Sequence, residues 1–183
     1  MGEKGFALFG VVGPLVAYVF IGLSIMLSPW FDWRSNALSD LGHSVKSGVA
    51  PIFNFGLLLA GFLVTVYSIN TLRNYVKYTS YCLLISAFTL LLIAVFDEVY
   101  GLLHLIVSVL FFIWLGLASI AYAVERKSIL ASVAFIIGLG SWMLFWAGIY
   151  GGGIAIPETI SSVVVTIWVM SSAFKILLKN SYK

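Results

Sequence analysis

Six apolar runs, each about as long as a bilayer's hydrocarbon core is thick, dominate this chain. They cover 6–29, 49–71, 78–97, 101–124, 128–149 and 157–177. A helix of ~20 apolar residues crosses a core of ~30 Å. Inside lipid every backbone N–H and C=O must be paired within the structure, which leaves helices or closed barrels. These runs are too long and too uniformly apolar for barrel strands. The expected fold is therefore all-α: one polytopic membrane domain over 1–183, a single bundle of six transmembrane helices. With 62% hydrophobic and only 9% charged residues, the chain has too little polar surface for a water-facing globule, which typically carries about 25% charge.

The charges between the runs predict orientation. Lys4, Arg73, Lys77, Arg126, Lys127, Lys175, Lys179 and Lys183 fall on one side, against Arg34 and Lys46 on the other. The positive-inside rule predicts a multi-pass cell-membrane protein with both termini cytoplasmic. The net charge of +3 and pI near 9.0 reflect these helix-end anchors, so nucleic acid is not an expected partner. The series Lys175, Lys179, Lys183 could also meet anionic lipid heads, although an anchor is the simpler use. "MGEK" and the run after it resemble a signal peptide only in outline. The run exceeds a usual h-region and lacks a small-x-small cleavage site, so it is read as the first span. The single Cys82 cannot form an internal disulfide. Trp30, Phe31, Trp33, Tyr75, Tyr78 and Tyr81 suit interfacial belts. Gly10, Gly13, Gly138 and Gly140 permit close helix approach without forming G-x-x-x-G pairs. No internal repeat suggests an inverted-repeat transporter.

The acidic residues divide the other way. Asp32, Asp40, Asp97, Glu98 and Glu158 lie on the side expected to be outside, and three loops deliver them. In the first, "NALSDLGHS" sits in a long connection, and long loops are often functional. Asn36 is expected as an N-cap, with Gly42 closing a short helical turn in the left-handed region. Leu38 and Leu41 would dip into the leaflet or onto the bundle. Ser39, Asp40 and His43 would point to its rim, with Asp40 and His43 on one side of the turn. In the second, "FDEVYGLLH", Asp97 and Glu98 mark a tight turn. His104 would share a helical face with Asp97 about 10 Å away if the helix began that early, one to two turns below the surface. A histidine in an apolar span usually faces the bundle interior. In the third, "YGGGIAIPETI", Pro157 suits the first turn of the last helix and Glu158 complements its dipole.

Each residue has an ordinary structural use: capping, loop closure, packing or a solvated turn. Their conjunction on one face suggests more. Asp40, His43, Asp97, Glu98, His104 and Glu158 could share one extracytoplasmic pocket. Asp40 and His104 would be ligands of a divalent metal or a general acid–base pair. Ser39 would donate to a ligand, and Asp97 or Glu98 would orient the histidine. Neither spacing is a strong ligand motif.

The pattern N-x-x-S-D-L-G after the first helix, here Asn36, Ser39, Asp40, Leu41 and Gly42, resembles the integral membrane family known as domain of unknown function 998. His104 in "LLHLIVSVLFF" matches a histidine that the family carries early in helix 4. "AIPETI" supplies Glu158 but has Thr159 where the family's element before the last helix carries a basic residue. The resemblance covers most of the chain and implies a six-helix fold with a shared outer-face site at Ser39, Asp40 and His104. The S-D-x-G after helix 1 is more distantly similar to the Frag1/DRAM/Sfk1 group, which implies lipid-linked processes.

The leading expectation is a lipid-associated protein whose pocket binds or acts on a headgroup, with membrane lipids as partners. Alternatives are a non-enzymatic scaffold or accessory subunit with SDLG as a clasp, or a small oligomeric transporter or channel. A homo-oligomer or a membrane-protein partner fits any of them, and the residues leave enzyme against scaffold open.

Overall fold

The computed structural model describes residues 2–149 and 151–178. No strand occurs among them, and six helices are long and apolar enough to cross a membrane. They are α1 (Lys4–Met26), α2 (Ala50–Asn70), α3 (Lys77–Val95), α4 (Leu102–Arg126), α5 (Ile129–Trp146) and α6 (Ala155–Leu178).

The helix ends follow from local chemistry. α1 stops at Met26 rather than continuing to 29, because Pro29 disfavours helical geometry at Ser28. α3 stops at Val95, and a 3-10 turn, Glu98–Tyr100, separates it from α4. Gly101, at φ +54°, turns the chain into α4; a side chain would strain that conformation. The histidine therefore sits in the first turn of α4, and Asp97 lies outside that helix. At the other end of α4, Lys127 takes the left-handed conformation. Ser128 Oγ then caps α5 by accepting from Ala131 N at 3.3 Å.

Helices adjacent in sequence pack side by side, and α6 returns against α1 and α4. Two apolar clusters hold the bundle. Near the basic end, Tyr67, Leu115, Ala118, Tyr122, Trp168 and Ala173 are buried together. Tyr122 stacks on Trp168 at 4.6 Å, and the Trp168 indole donates to Ser119 Oγ at 3.0 Å. A Cβ at Gly10 would fall 2.8 Å from the Tyr67 ring, so α1 can pass this closely only without a side chain there. Near the acidic end, Leu41 packs with Val49, Phe53, Leu57, Ile93 and Val107. Leu41 is fully buried: the first loop folds onto the bundle, not out into a leaflet.

Candidate functional site

The first loop orders itself before it meets anything else. Asn36 Oδ1 accepts from Asp32 N at 2.9 Å, and Arg34 N donates to Asp32 Oδ1 at 2.9 Å. Asp40 then reaches back along the 3-10 turn Leu38–Gly42. Its Oδ2 accepts from Ala37 N at 2.9 Å and from Asn36 Nδ2 at 2.8 Å. Asp40 rather than Asn36 is thus the residue that caps this turn. Gly42 is not in the left-handed region, among the described residues. It is glycine because a Cβ would fall 2.5 Å from Asn54 Oδ1 and 2.8 Å from the Phe53 ring. Asn54 Nδ2 in turn donates to Gly42 O at 2.9 Å.

The ordered loop then ties in the other two. Gly153 N donates to Trp33 O at 2.9 Å and Ala155 N to Asn36 O at 3.1 Å. A Cβ on Gly153 would lie 2.6 Å from Asn36 O, so only glycine lets this backbone dock. The docking brings the half-buried Glu158 under the turn, where its Oε2 accepts from Leu38 N at 2.8 Å. On the other flank Ser39 Oγ donates to Glu98 Oε1 at 2.6 Å, while Asp97 accepts from Val99 N at 2.8 Å and Ser44 N at 3.2 Å.

The acidic groups fall into two sets. Asp97 is buried with two N–H donors and His43 nearby. Burial alone would raise its pKa, but the Ser44 and Val99 bonds and the His43 charge outweigh it and hold the carboxyl below its ordinary value. Asp97 is a clasp between the first two loops, and His43 accompanies it rather than Asp40. The second set is Asp40, Glu98 and Glu158, which act on one another electrostatically. Burial, and then the neighbouring Asp40 carboxyl, push Glu98 above its ordinary value against the opposing pull of Ser39 and His104. Glu98 therefore retains a proton more readily than an isolated glutamate would.

His104 is buried and joins this set through Glu98. Its orientation comes from a backbone group, not from Asp97 or Glu98. Nδ1 donates to Phe96 O at 2.8 Å, an orphan carbonyl at the end of α3. That fixes Nε2 as the acceptor in the neutral ring, with Ser108 Oγ 3.4 Å away. No hydrogen bond or ion pair joins His104 to Asp40 among the described residues, and no three His, Cys, Asp or Glu side chains there gather as metal ligands.

Sequence reasoning expected a shared polar pocket but not the largely apolar space beside these groups. A cavity of about 820 Å³ lies between α4, α5 and α6. Ser39, Glu98, His104 and Glu158 line one end, and Asp40 stands behind Glu98 outside the lining. Leu105, Val109, Phe112, Phe135, Leu139 and Trp142 line the rest. Trp142 Nε1 donates to Ser161 Oγ at 3.3 Å, fixing the indole against α6. A smaller cavity of about 140 Å³ in the bundle interior also touches Ser39 and Glu158. The only available signal was the run of small residues, Ser108, Gly116, Gly138 and Ser161, on the facing helices.

A family model described as "Protein of unknown function (DUF998)" matches residues 11–175. This bears out the nearer resemblance and carries nothing for the Frag1/DRAM/Sfk1 likeness. No curated protein and no solved structure matches the chain.

Proposed function

The chain belongs to the DUF998 family, whose description names no reaction, and from the site itself we propose that it is a multi-pass cell-membrane protein that takes the head of a membrane lipid into an extracytoplasmic pocket. One observation carries this reading: the cavity is lined by Ser39, Glu98, His104 and Glu158 at one end and by apolar side chains along the rest. Sites for small molecules are typically concave and mostly apolar, with a few converging polar groups, and an amphiphile matches this division. Glu98 and His104 Nε2 supply a proton donor and acceptor at the head end, the equipment for general acid–base chemistry. Asp40 serves as the positioning residue that caps the turn from which Ser39 donates to Glu98.

Orientation is tested by single-cysteine labelling in a Cys82→Ser background. Ser44→Cys should react with a membrane-impermeant maleimide from outside, and Lys127→Cys only after permeabilisation. Occupancy is tested by mass spectrometry of lipids that remain with the full-length protein after purification in mild detergent. Wild type should retain lipid near one per chain, and Leu139→Trp, which fills the cavity wall, should lose it. Equal lipid content in both would end the pocket reading. The clasp alternative has its own support in Asp97 and Asp40, but those two stand apart from the cavity lining. Asp97→Asn should therefore lower the melting temperature without changing lipid content.

A further inference from the structure

We infer that the cavity is a sideways-opening cleft for a single aliphatic chain, and that the head it accepts ends in a protonated amine. This rests on the lipid-pocket reading and deepens it. The lining runs along α4 from His104 to Ile120, sixteen steps of 1.5 Å or about 24 Å. That is most of a hydrocarbon core of ~30 Å, a length that suits a chain lying parallel to the helices rather than a compact solute. The cleft is open toward the membrane: Ile113 and Leu139 line it and are still 50% and 48% exposed. Glu158 and Ser161 of α6 line it together with both walls.

The head end is lined by acidic groups. Glu98 and Glu158 line it with His104 and Ser39, Asp40 lies behind, and no Lys or Arg lines the cleft among the described residues. The Ser39 hydroxyl already donates to Glu98. What remains is the carboxyl capacity of Glu98 and Glu158, whose charged forms an incoming cation would favour in a setting where desolvated charges need partners. A phosphate brought here would add like charge. A hydroxyl could accept and donate but would leave the charge unbalanced. An ammonium supplies three donors and the opposite charge.

The test uses the full-length protein in nanodiscs and three photoreactive probes sharing one diazirine-bearing tail: octadecylamine, octadecanol and octadecyl phosphate. Crosslinks are mapped by peptide mass spectrometry. The amine should label α4 and α5 residues along the cleft at a half-saturating concentration at least tenfold lower than either other probe. In a Glu98→Gln/Glu158→Gln double variant that gap should close. If all three label the cleft alike, or the phosphate labels best, the amine inference is overturned while the lipid-pocket reading stands. If none labels it, or Leu139→Trp leaves labelling unchanged, both fall. The three-probe comparison is made on the wild-type protein, so it decides the matter even if the double variant does not fold.

Discussion

Glu125, at the basic end of the bundle, accepts from Tyr78 N at 3.0 Å, Thr79 N at 2.8 Å and Thr79 Oγ1 at 2.6 Å. Glu98, at the acidic end, accepts from Ser39 Oγ alone among the described residues and faces another carboxyl. Both are half-buried glutamates close to helix ends. The first is saturated by the orphan N–H groups that open α3, a use that leaves nothing over for a ligand. The second is short of donors and crowded by its own kind. An arrangement that costs stability in the empty protein is one that a bound cation or a transferred proton can relieve. Asp97, one residue before Glu98, sides with Glu125. The contrast therefore follows donor supply, not position in the molecule.

The strongest way to break this contrast is to dismantle the acidic end without touching a carboxylate. Gly153→Val would drive a side chain into the Asn36 and Trp33 backbone, where nothing can move aside. A loss of about 3 kcal/mol, or failure to fold, is expected, with the cavity's Glu158 side released. SDS titration followed by tryptophan fluorescence measures it. Gly140→Ala is the matched control. Its Cβ meets nothing within 4 Å, so helix propensity should make it neutral or stabilising by up to about 1 kcal/mol.

Next in size is Glu125→Ala. It would leave the Tyr78 and Thr79 N–H groups without their partner and cost about 2 kcal/mol. The same SDS titration should show that loss while lipid content stays at the wild-type level. Lipid loss in Glu125→Ala equal to that in Leu139→Trp would mean that the two ends do not differ in kind.

Adjacent residues sharpen the comparison through pH. The folded pKa of Glu98 lies above its ordinary 4.5, so its contribution is full below that value and lost as pH rises through the raised one. The folded pKa of Asp97 lies below its ordinary 3.8, so its contribution is present above that value and lost as pH falls through the lowered one. Unfolding free energy measured against pH should lose its decline on the alkaline side of 4.5 in Glu98→Gln, and its decline on the acid side of 3.8 in Asp97→Asn. If the two variants flatten the same limb, the division of the acidic groups is wrong.

These pairings explain what could be read from the amino-acid order and what could not. Six helices were legible because hydrophobic length alone dictates them. The gathering of Asp40, Asp97, Glu98, His104 and Glu158 at one end followed from counting spans. Their partners were not legible, because most are backbone groups with no signature: Phe96 O for His104, Leu38 N for Glu158, Ser44 N for Asp97. Asn36 looked like a cap because asparagine usually is one, whereas Asp40 four residues on does that work. Gly42 looked like a left-handed terminator, yet its reason is the nearness of Phe53 and Asn54 on another helix. The cleft's apolar length was not legible for a related reason: it depends on how far α4, α5 and α6 stand apart, and small residues such as Gly116 and Gly138 permit a gap without specifying one.

The smallest effect is the most discriminating. Ser39→Ala removes the hydroxyl that, alone among the described residues, donates to Glu98, at a cost of about 1 kcal/mol. That bond favours the charged carboxylate, opposing burial and Asp40. Without it Glu98 should hold its proton to still higher pH, because both opposing influences remain. Infrared difference spectra should then show the protonated-carboxyl band of Glu98 persisting at a higher pH than in wild type, with Glu98→Gln identifying the band. If the band disappears at the same pH in both proteins, Ser39 is not setting the proton affinity of Glu98. The acidic end would then be as settled as Glu125, and its shortage of donors would have no consequence.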